Sequence, residues 1–420
     1  MLQEVELEVD VVVHAPDITA LKSIVEPQLS PEDWHGDQET WNQWESVVKS
    51  IKKGRIATAA ILLSRTSAKE AVSHKGSDID PMRPLLIGAS GSFHLEAWIP
   101  TSLAATIGKK PLRVNGTDND GTPVTIPGDA FLSYLEQQQA QGGGQADRDI
   151  KTIAVFDQKV FDPRTSADAS IPKIYSLPHI PKLGLGPQSR LSRLLERMDP
   201  SLRQDTRWLL LGPARSGTAI HTDPQNTNAW NTVCYGRKHW AILSPDVASE
   251  LAFRDTSPEG MEWTLPEWFS EEWPSIASDA ISAGGEAFEA VQEAGETIYI
   301  PSGWWHAVMN VESSTAVTEN FVRAETLQVA IDECWQQRKL LEKQEQIRVI
   351  QPPPQNMEGK VHELEKKSYA EVTAAILNLL SLVDDELVEG EGGSGIYRWL
   401  LEMHDDGILN LMPLPKLSTI

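Results

Sequence analysis

The sequence predicts a mainly β domain of the antiparallel sandwich or barrel class with helices on either side, and three observations carry that expectation. Seven short strand-like runs crowd the interval from Arg207 to Val322: RWLLLG, TAIHTD, AWNTVCYG, KHWAILSP, ETIYIP, WHAVMNV and TAVTENFV. Turn formers separate them, in PARSG, DPQN, YGR, PSG and ESS. Many short strands punctuated by Gly and Pro bury a core as packed or closed antiparallel sheets. Outside this interval the β character gives way to helical spacing.

Residues 1–82 form a mostly helical extension in which Trp41, Trp44, Val47 and Ile51 recur at helical intervals. From Arg83 onward, RPLLIGASG and KPLRVNGTDNDGTPVTIP read as short β runs between Gly, Pro, Asn and Asp clusters. GDAFLSYLEQQQ is a short amphipathic helix, QAQGGGQADRD a surface loop, and Ala154 to Phe156 another strand. The stretch from Asp246 to Ala294 is acidic and Trp-rich (Trp263, Trp268, Trp273) and reads as an insertion at one end of the barrel. After Arg323 the pattern turns helical: Leu327, Ile331, Cys334, Arg338 and Leu341 fall close to one face before QPPPQ ends the helix. Val372, Ile376, Leu379 and Val383 mark a second helix. The expected layout is therefore an extension over 1–82, a central domain over 83–325 with the insertion at 246–294, and a helical region over 326–420. Those last helices offer faces for packing on the barrel or for a homodimer.

Composition bounds the function. At 40% apolar and 23% charged residues, the 420-residue chain has the make-up of a soluble globular protein. No apolar run approaches the roughly 20 residues that span a bilayer, so no membrane association is expected. The start, MLQEVELEVDVVV, is acidic and lacks the basic segment of a signal peptide. Two cysteines, Cys234 and Cys334, provide neither a disulfide framework nor a thiolate cluster for zinc. A nuclear or cytoplasmic location follows as the expectation. A net charge of −23 argues against direct nucleic-acid binding, which requires a basic face, and suits a basic protein or peptide partner. Glu262, Glu267, Glu271 and Glu272 in the Trp-rich stretch are candidates for attracting such a partner.

The histidines carry the chemistry. His-x-Asp occurs at His35-Gly36-Asp37, His221-Thr222-Asp223 and His404-Asp405-Asp406, so the tripeptide alone decides nothing. Only the middle copy lies in a strand, where residues i and i+2 share a face and their Cα atoms stand about 6–7 Å apart. A third ligand must come from another strand, and His306, after the Pro301-Ser302-Gly303 turn, supplies it. Two imidazoles and one carboxylate leave three octahedral positions open, which suits a non-haem Fe(II) oxygenase. A cupin-like zinc hydrolase or isomerase would accept the same ligands. Lys238 opens an otherwise apolar strand and is the candidate cation for an anionic co-substrate. Thr218, Asn231, Thr318 and Asn320 occupy inward or mouth positions, and Asn310 shares a face with His306 and Val308. Trp304, Trp305 and Trp230 are candidates for the walls of the space.

The segments GPARSGTAIHTDPQNTNAWNTVCYGRKHWAILSP and GETIYIPSGWWHAVMNVESSTAVTENFV resemble the two halves of a jumonji-C (JmjC) domain, and FLSYLEQQQ and IAVFD upstream are similar as well. The likeness covers Arg83 to Val322 and is nearest to the branch of jumonji domain-containing protein six, associated with protein lysyl hydroxylation and arginine demethylation. It implies a double-stranded β-helix, a jelly-roll or cupin-like barrel. It also implies Fe(II), with 2-oxoglutarate and O2 as co-substrates, and a protein or peptide substrate modified at Lys or Arg. The iron ligands would be His221, Asp223 and His306. Lys238 would take the distal carboxylate of 2-oxoglutarate, Thr318, Asn231 and Thr218 would hydrogen-bond the co-substrate, and Asn320 would support the site from behind. The reaction implied is hydroxylation of a C–H bond, which on an N-methyl group ends in release of formaldehyde. A scaffold of the same fold without catalysis is the alternative, and the intact triad with Lys238 speaks against it. Two features depart from that branch: the chain lacks its basic, Ser-rich tail, and no tyrosine of Ala130-Phe131-Leu132-Ser133-Tyr134 is assigned a co-substrate contact.

Overall fold

The computed structural model describes residues 12–72, 79–89, 95–139, 148–158, 160, 207–247 and 263–321. Most of the predicted QAQGGGQADRD loop and both predicted C-terminal helices, with any dimer contact through them, lie outside these residues. None of the described helices is long and apolar enough to cross a membrane.

Fifteen strands occur among the described residues. The first seven are β1 (Val13–His14), β2 (Ile61–Leu62), β3 (Arg65–Thr66), β4 (Leu85–Ile87), β5 (Pro111–Thr117), β6 (Pro123–Pro127) and β7 (Val155–Asp157). The barrel proper is β8 (Arg207–Gly212), β9 (Gly217–His221), β10 (Asn228–Tyr235), β11 (Arg237–Leu243), β12 (Ala287–Glu293), β13 (Thr297–Ile300), β14 (Trp305–Asn310) and β15 (Ser314–Phe321). One sheet runs β1-β6-β5-β7-β8-β15-β10-β13-β4-β3 and the other β2-β12-β11-β14-β9. The chain passes back and forth between them, and every pairing among the eight barrel strands is antiparallel. This winding is the double-stranded β-helix.

Strands β10 to β15 are buried on both faces, which is why most of them read as nearly continuous apolar runs. Leu86, Trp240, Ile242, Phe288, Ala290, Ile298, Ile300, Trp304 and Val308 fill one part of the space between the sheets. Outside the larger sheet, α1 (Ile18–Val25), α5 (Pro100–Ile107) and α6 (Gly128–Gln139) pack against Trp230, Tyr299, Val317 and Phe321. The remaining early helices are α2 (Pro31–His35), α3 (Gln38–Ile51) and α4 (Ala68–Val72). Asp37 caps α3 by accepting from the Thr40 N–H, and Trp41, Trp44, Val47 and Ile51 are all buried, as their spacing predicts. They lie on the outer face of the smaller sheet with Trp268, Phe269 and the buried face of α7 (Trp273–Ser282). Each fully buried large side chain here contributes about 1.5–3 kcal/mol.

Two boundaries differ from the expectation. The stretch 246–294 is not wholly an insertion: Ala287–Glu293 is a barrel strand paired along its length with β11. Its sequence, AFEAVQE, disguised this because Glu289 is completely buried. That carboxylate is fully used. It accepts from Ile56 N–H and Ala57 N–H (both 2.6 Å) and Trp273 Nε1 (2.8 Å), and pairs with His239 Nε2 at 2.7 Å. Trp268 and Trp273 are likewise core residues, not surface ones. The sheets also begin before Arg83, since β2 joins β12 and β3 joins β4. Two-residue strands carry too little periodicity to be read.

Candidate metal centre and co-substrate pocket

Residues directly opposite one another in an antiparallel pair point to the same side of the sheet, so the register sorts the barrel interior into rows. On the smaller sheet one row is His221–His306–Ile242–Phe288, the next Thr218–Val308–Trp240–Ala290, and the third Asn310–Lys238–Gln292. On the larger sheet a row runs Trp208–Thr318–Asn231–Ile298–Leu86, beside Asn320–Ala229–Ile300. A β-bulge lies between the pairs His306–His221 and Val308–Thr218. It carries one extra residue on β9 and brings His221 and Thr218, three positions apart, to the same face.

The three predicted ligands converge. Asp223 lies just past β9, but its backbone stays extended (φ −63°, ψ 141°), so the strand alternation carries through to it. One potential ligand atom from each of His221, Asp223 and His306 lies within 4.8 Å of the others. Among the described residues no other trio of His, Cys, Asp or Glu does so. The two imidazoles sit 4.2 Å apart by ring centroid. His221 Nδ1 is 2.8 Å from Ala219 O, and His306 Nδ1 is 3.1 Å from Trp304 O. A carbonyl only accepts, so both Nδ1 atoms carry the proton and each Nε2 presents its lone pair. Burial, reinforced by the neighbouring His221, pushes the His306 pKa down to about 4, keeping the ring neutral at physiological pH.

Asp223 is held from one side only. Its Oδ1 accepts from Asn320 Nδ2 at 2.9 Å, and the same amide nitrogen donates to Thr227 Oγ1 at 2.9 Å. Oδ2 is buried with no hydrogen-bond partner, 3.9 Å from His306 Nε2. A buried carboxylate oxygen left bare is costly unless a cation meets it. The donor set, two imidazoles and a carboxylate with one unpartnered oxygen, therefore fits a divalent metal.

Of the predicted co-substrate residues, Lys238 lies on the interior face of β11 and is fully buried. Burial lowers its pKa to about 8. Its ammonium donates to Asn310 Oδ1 at 2.8 Å, and among the described residues no carboxylate pairs with it. Asn231 and Thr318 face each other across β10 and β15. Asn231 Oδ1 is buried without a partner, while Thr318 Oγ1 donates to Trp230 O at 2.8 Å and keeps its lone pairs. Thr218 is solvent-exposed on its row, and Asn320 acts on Asp223 as just described. Tyr134 does not reach this space: its hydroxyl donates to Asp149 Oδ2 at 2.9 Å within a buried cluster containing Lys22 and Arg215.

The aromatic walls differ from the expectation. Trp304 does face the interior, but Trp230 and Trp305 pack on the outer faces of their sheets. Their strand parity, opposite to that of Asn231 and His306, gives the reason. Trp240 takes their place, its ring 6.0 Å from His306 and its Nε1 donating to Gln292 Oε1 at 2.8 Å. The i, i+2 relation to Lys238 in KHW was the signal. Of the four acidic candidates, Glu267 is engaged as the capping partner of Thr264, and Glu262 lies outside the described residues.

The fold and the centre together define a class: a jelly-roll barrel carrying a triad of two histidines and one carboxylate. Residues 208–321 match the family described as JmjC domain, hydroxylase. Over 255 residues it is 30% identical to Lysine-specific demethylase JMJ21 of Arabidopsis thaliana, covering 59% of this chain and 24% of that protein. Over 251 residues it is 28% identical to Bifunctional arginine demethylase and lysyl-hydroxylase psr-1 of Caenorhabditis elegans, covering 58% and 56%. It is also 30% identical over 167 residues to 2-oxoglutarate and iron-dependent oxygenase JMJD4 of Gallus gallus, covering 38% and 36%. The matched part thus spans between about a quarter and about half of these relatives.

Proposed function

We propose that this chain is an Fe(II)- and 2-oxoglutarate-dependent dioxygenase that hydroxylates a protein substrate at Lys or Arg side chains, with N-demethylation following when the oxidised carbon is an N-methyl. The observation that carries the reading is the pairing of two incomplete sites in one barrel. The bare Asp223 Oδ2 between two Nε2 lone pairs needs a cation, and the uncompensated Lys238 ammonium needs an anion. The printed names of the relatives support iron and 2-oxoglutarate for the co-substrate chemistry and protein side chains for the target. The likeness to psr-1 supports the branch of jumonji domain-containing protein six.

In this reading His221, Asp223 and His306 hold Fe(II), which with 2-oxoglutarate and O2 supplies the oxidising power for a C–H bond. The chain's own part is placement. The backbone carbonyls of Ala219 and Trp304 fix both imidazole tautomers, so the ligands need not reorganise on binding. Asn320 holds Asp223 by one oxygen and leaves the other for the metal, which preserves open positions for the co-substrate. Lys238 anchors the distal carboxylate, while Asn231 and Thr318 offer polar contacts between the two ends. Trp240, Trp304 and Val308 exclude water from that side.

The test is conversion of 2-oxoglutarate to succinate by the purified protein with Fe(II), alongside Asp223→Ala. The wild type is expected to turn over and to raise the mass of a basic peptide by one oxygen, or lower it by one methyl. Asp223→Ala is expected to do neither. A wild type that binds neither Fe(II) nor 2-oxoglutarate would sink the proposal.

A further inference from the structure

Lys238 is held by a short chain of hydrogen bonds whose direction is fixed at both ends. Its ammonium only donates, and it gives one bond to Asn310 Oδ1 at 2.8 Å. Asn310 Nδ2 donates to Ser216 Oγ at 2.8 Å, and Ser216 Oγ donates to the carbonyl of Pro213 at 2.7 Å. That carbonyl only accepts. The chain therefore runs one way, from lysine through amide and hydroxyl to backbone, and every group in it is used once. Two main-chain bonds lock the frame, Arg215 N–H to Asn310 O at 2.8 Å and Asn310 N–H to Ser216 O at 2.7 Å. Gly212 leaves the space that this arrangement needs: a Cβ there would stand 2.3 Å from Ser216 Oγ and 2.8 Å from Asn310 Nδ2.

Asparagine is the side chain whose chemistry suits the middle of this chain. It offers one acceptor to the lysine and one donor to the serine. An aspartate would offer no donor to Ser216, and it would neutralise Lys238 from within the protein. A neutral acceptor steers the ammonium without satisfying its charge, so the charge stays available for an incoming carboxylate. We propose that Asn310, oriented by Ser216, is a positioning residue that keeps Lys238 aimed and electrostatically unspent for the distal carboxylate of the co-substrate. The inference rests on the co-substrate reading above and deepens it. Among the described residues the titratable group whose charge reaches Lys238 is Cys234, whose thiol burial holds neutral, up to about 12.

The experiment compares wild type, Asn310→Asp and Ser216→Ala, each loaded with Mn(II) in place of Fe(II), by calorimetric titration with 2-oxoglutarate. Titration of the Lys238 side chain by NMR in the metal-free proteins supplies a readout independent of activity. Asn310→Asp is expected to weaken 2-oxoglutarate binding at least tenfold and to move the Lys238 midpoint upward by one pH unit or more, with Mn(II) affinity within about threefold of wild type. Ser216→Ala is expected to weaken co-substrate binding more modestly without moving the lysine midpoint upward, since it adds no charge. Unchanged 2-oxoglutarate affinity in Asn310→Asp overturns the positioning role, as does an equal loss of metal and co-substrate binding, which signals general disruption. A wild type that fails to bind 2-oxoglutarate overturns the co-substrate reading itself, and the two failures are thereby told apart.

Discussion

At the scale of single residues the candidate centre rests on groups outside the triad itself. The Asn320 side-chain amide donates to Asp223 and Thr227, and so engages one carboxylate oxygen while the other is left bare. Asn320→Ala is expected to lower Fe(II) or Mn(II) affinity by about 10–100-fold, the effect common for partners behind metal ligands, with little change in the melting of the metal-free protein. Equal affinities in variant and wild type would show that Asp223 needs no such support. The Lys238 ammonium gives a pH signature. In the ligand-free protein burial sets its pKa at about 8, below the ordinary 10.5, and in the proposed role it is the charged form that takes the carboxylate. Co-substrate affinity is then flat below pH 8 and falls above it, by up to about tenfold per pH unit. The stability effect has the opposite sense. Between pH 8 and 10.5 the unfolded lysine holds a proton that the folded one has lost, so this group adds stability as pH rises through that window. Calorimetric binding from pH 7 to 9.5 tests the first statement, and a rise in affinity over that range would contradict it. The triad itself was legible in the sequence, because strand alternation selects one His-x-Asp copy of three. What alternation misses is the bulge in β9, since nothing in Gly-Thr-Ala-Ile-His marks an extra residue; without the bulge Thr218 would be placed on the face opposite His221.

Among elements, the apolar runs were readable and the polar strand was not. β11 and β14 declare themselves through Trp, Ala, Ile and Val, whereas β12 hides behind two glutamates and a glutamine. Its burial makes sense only in three dimensions, where Glu289 gathers donors from the segment at Ile56–Ala57 and from α7, and lies against His239 on β11. One carboxylate thus ties the amino-terminal helices, the helix after residue 263 and the smaller sheet into one layer. Glu289→Gln replaces two acceptor oxygens that together take three hydrogen bonds by a group with a single acceptor oxygen. It is expected to destabilise the fold by about 1–3 kcal/mol, the cost of leaving a buried donor without its acceptor. Urea unfolding followed by Trp fluorescence measures this, and a loss below 1 kcal/mol would mean that the layer is held by apolar packing alone.

For the molecule as a whole, the ligands and the anchor lie on different strands of a barrel whose neighbours in space are distant in sequence. Mn(II) and 2-oxoglutarate together are therefore expected to raise the melting temperature, by an amount that grows with the logarithm of their concentrations. A melting temperature indifferent to both would argue that neither binds the native fold. The order of the strands has one more consequence, for the chain as it is made. β8 pairs with β15, the first barrel strand with the last, and β15 also carries Thr318 and Asn320. When a ribosome has just released Asn310, all three proposed ligands and Lys238 already exist, but β15 is still missing. Contacts of such long range form late and slowly. The nascent domain therefore passes through an interval in which the whole proposed triad exists but Asn320, the support behind Asp223, does not, and that support arrives only with the final strand.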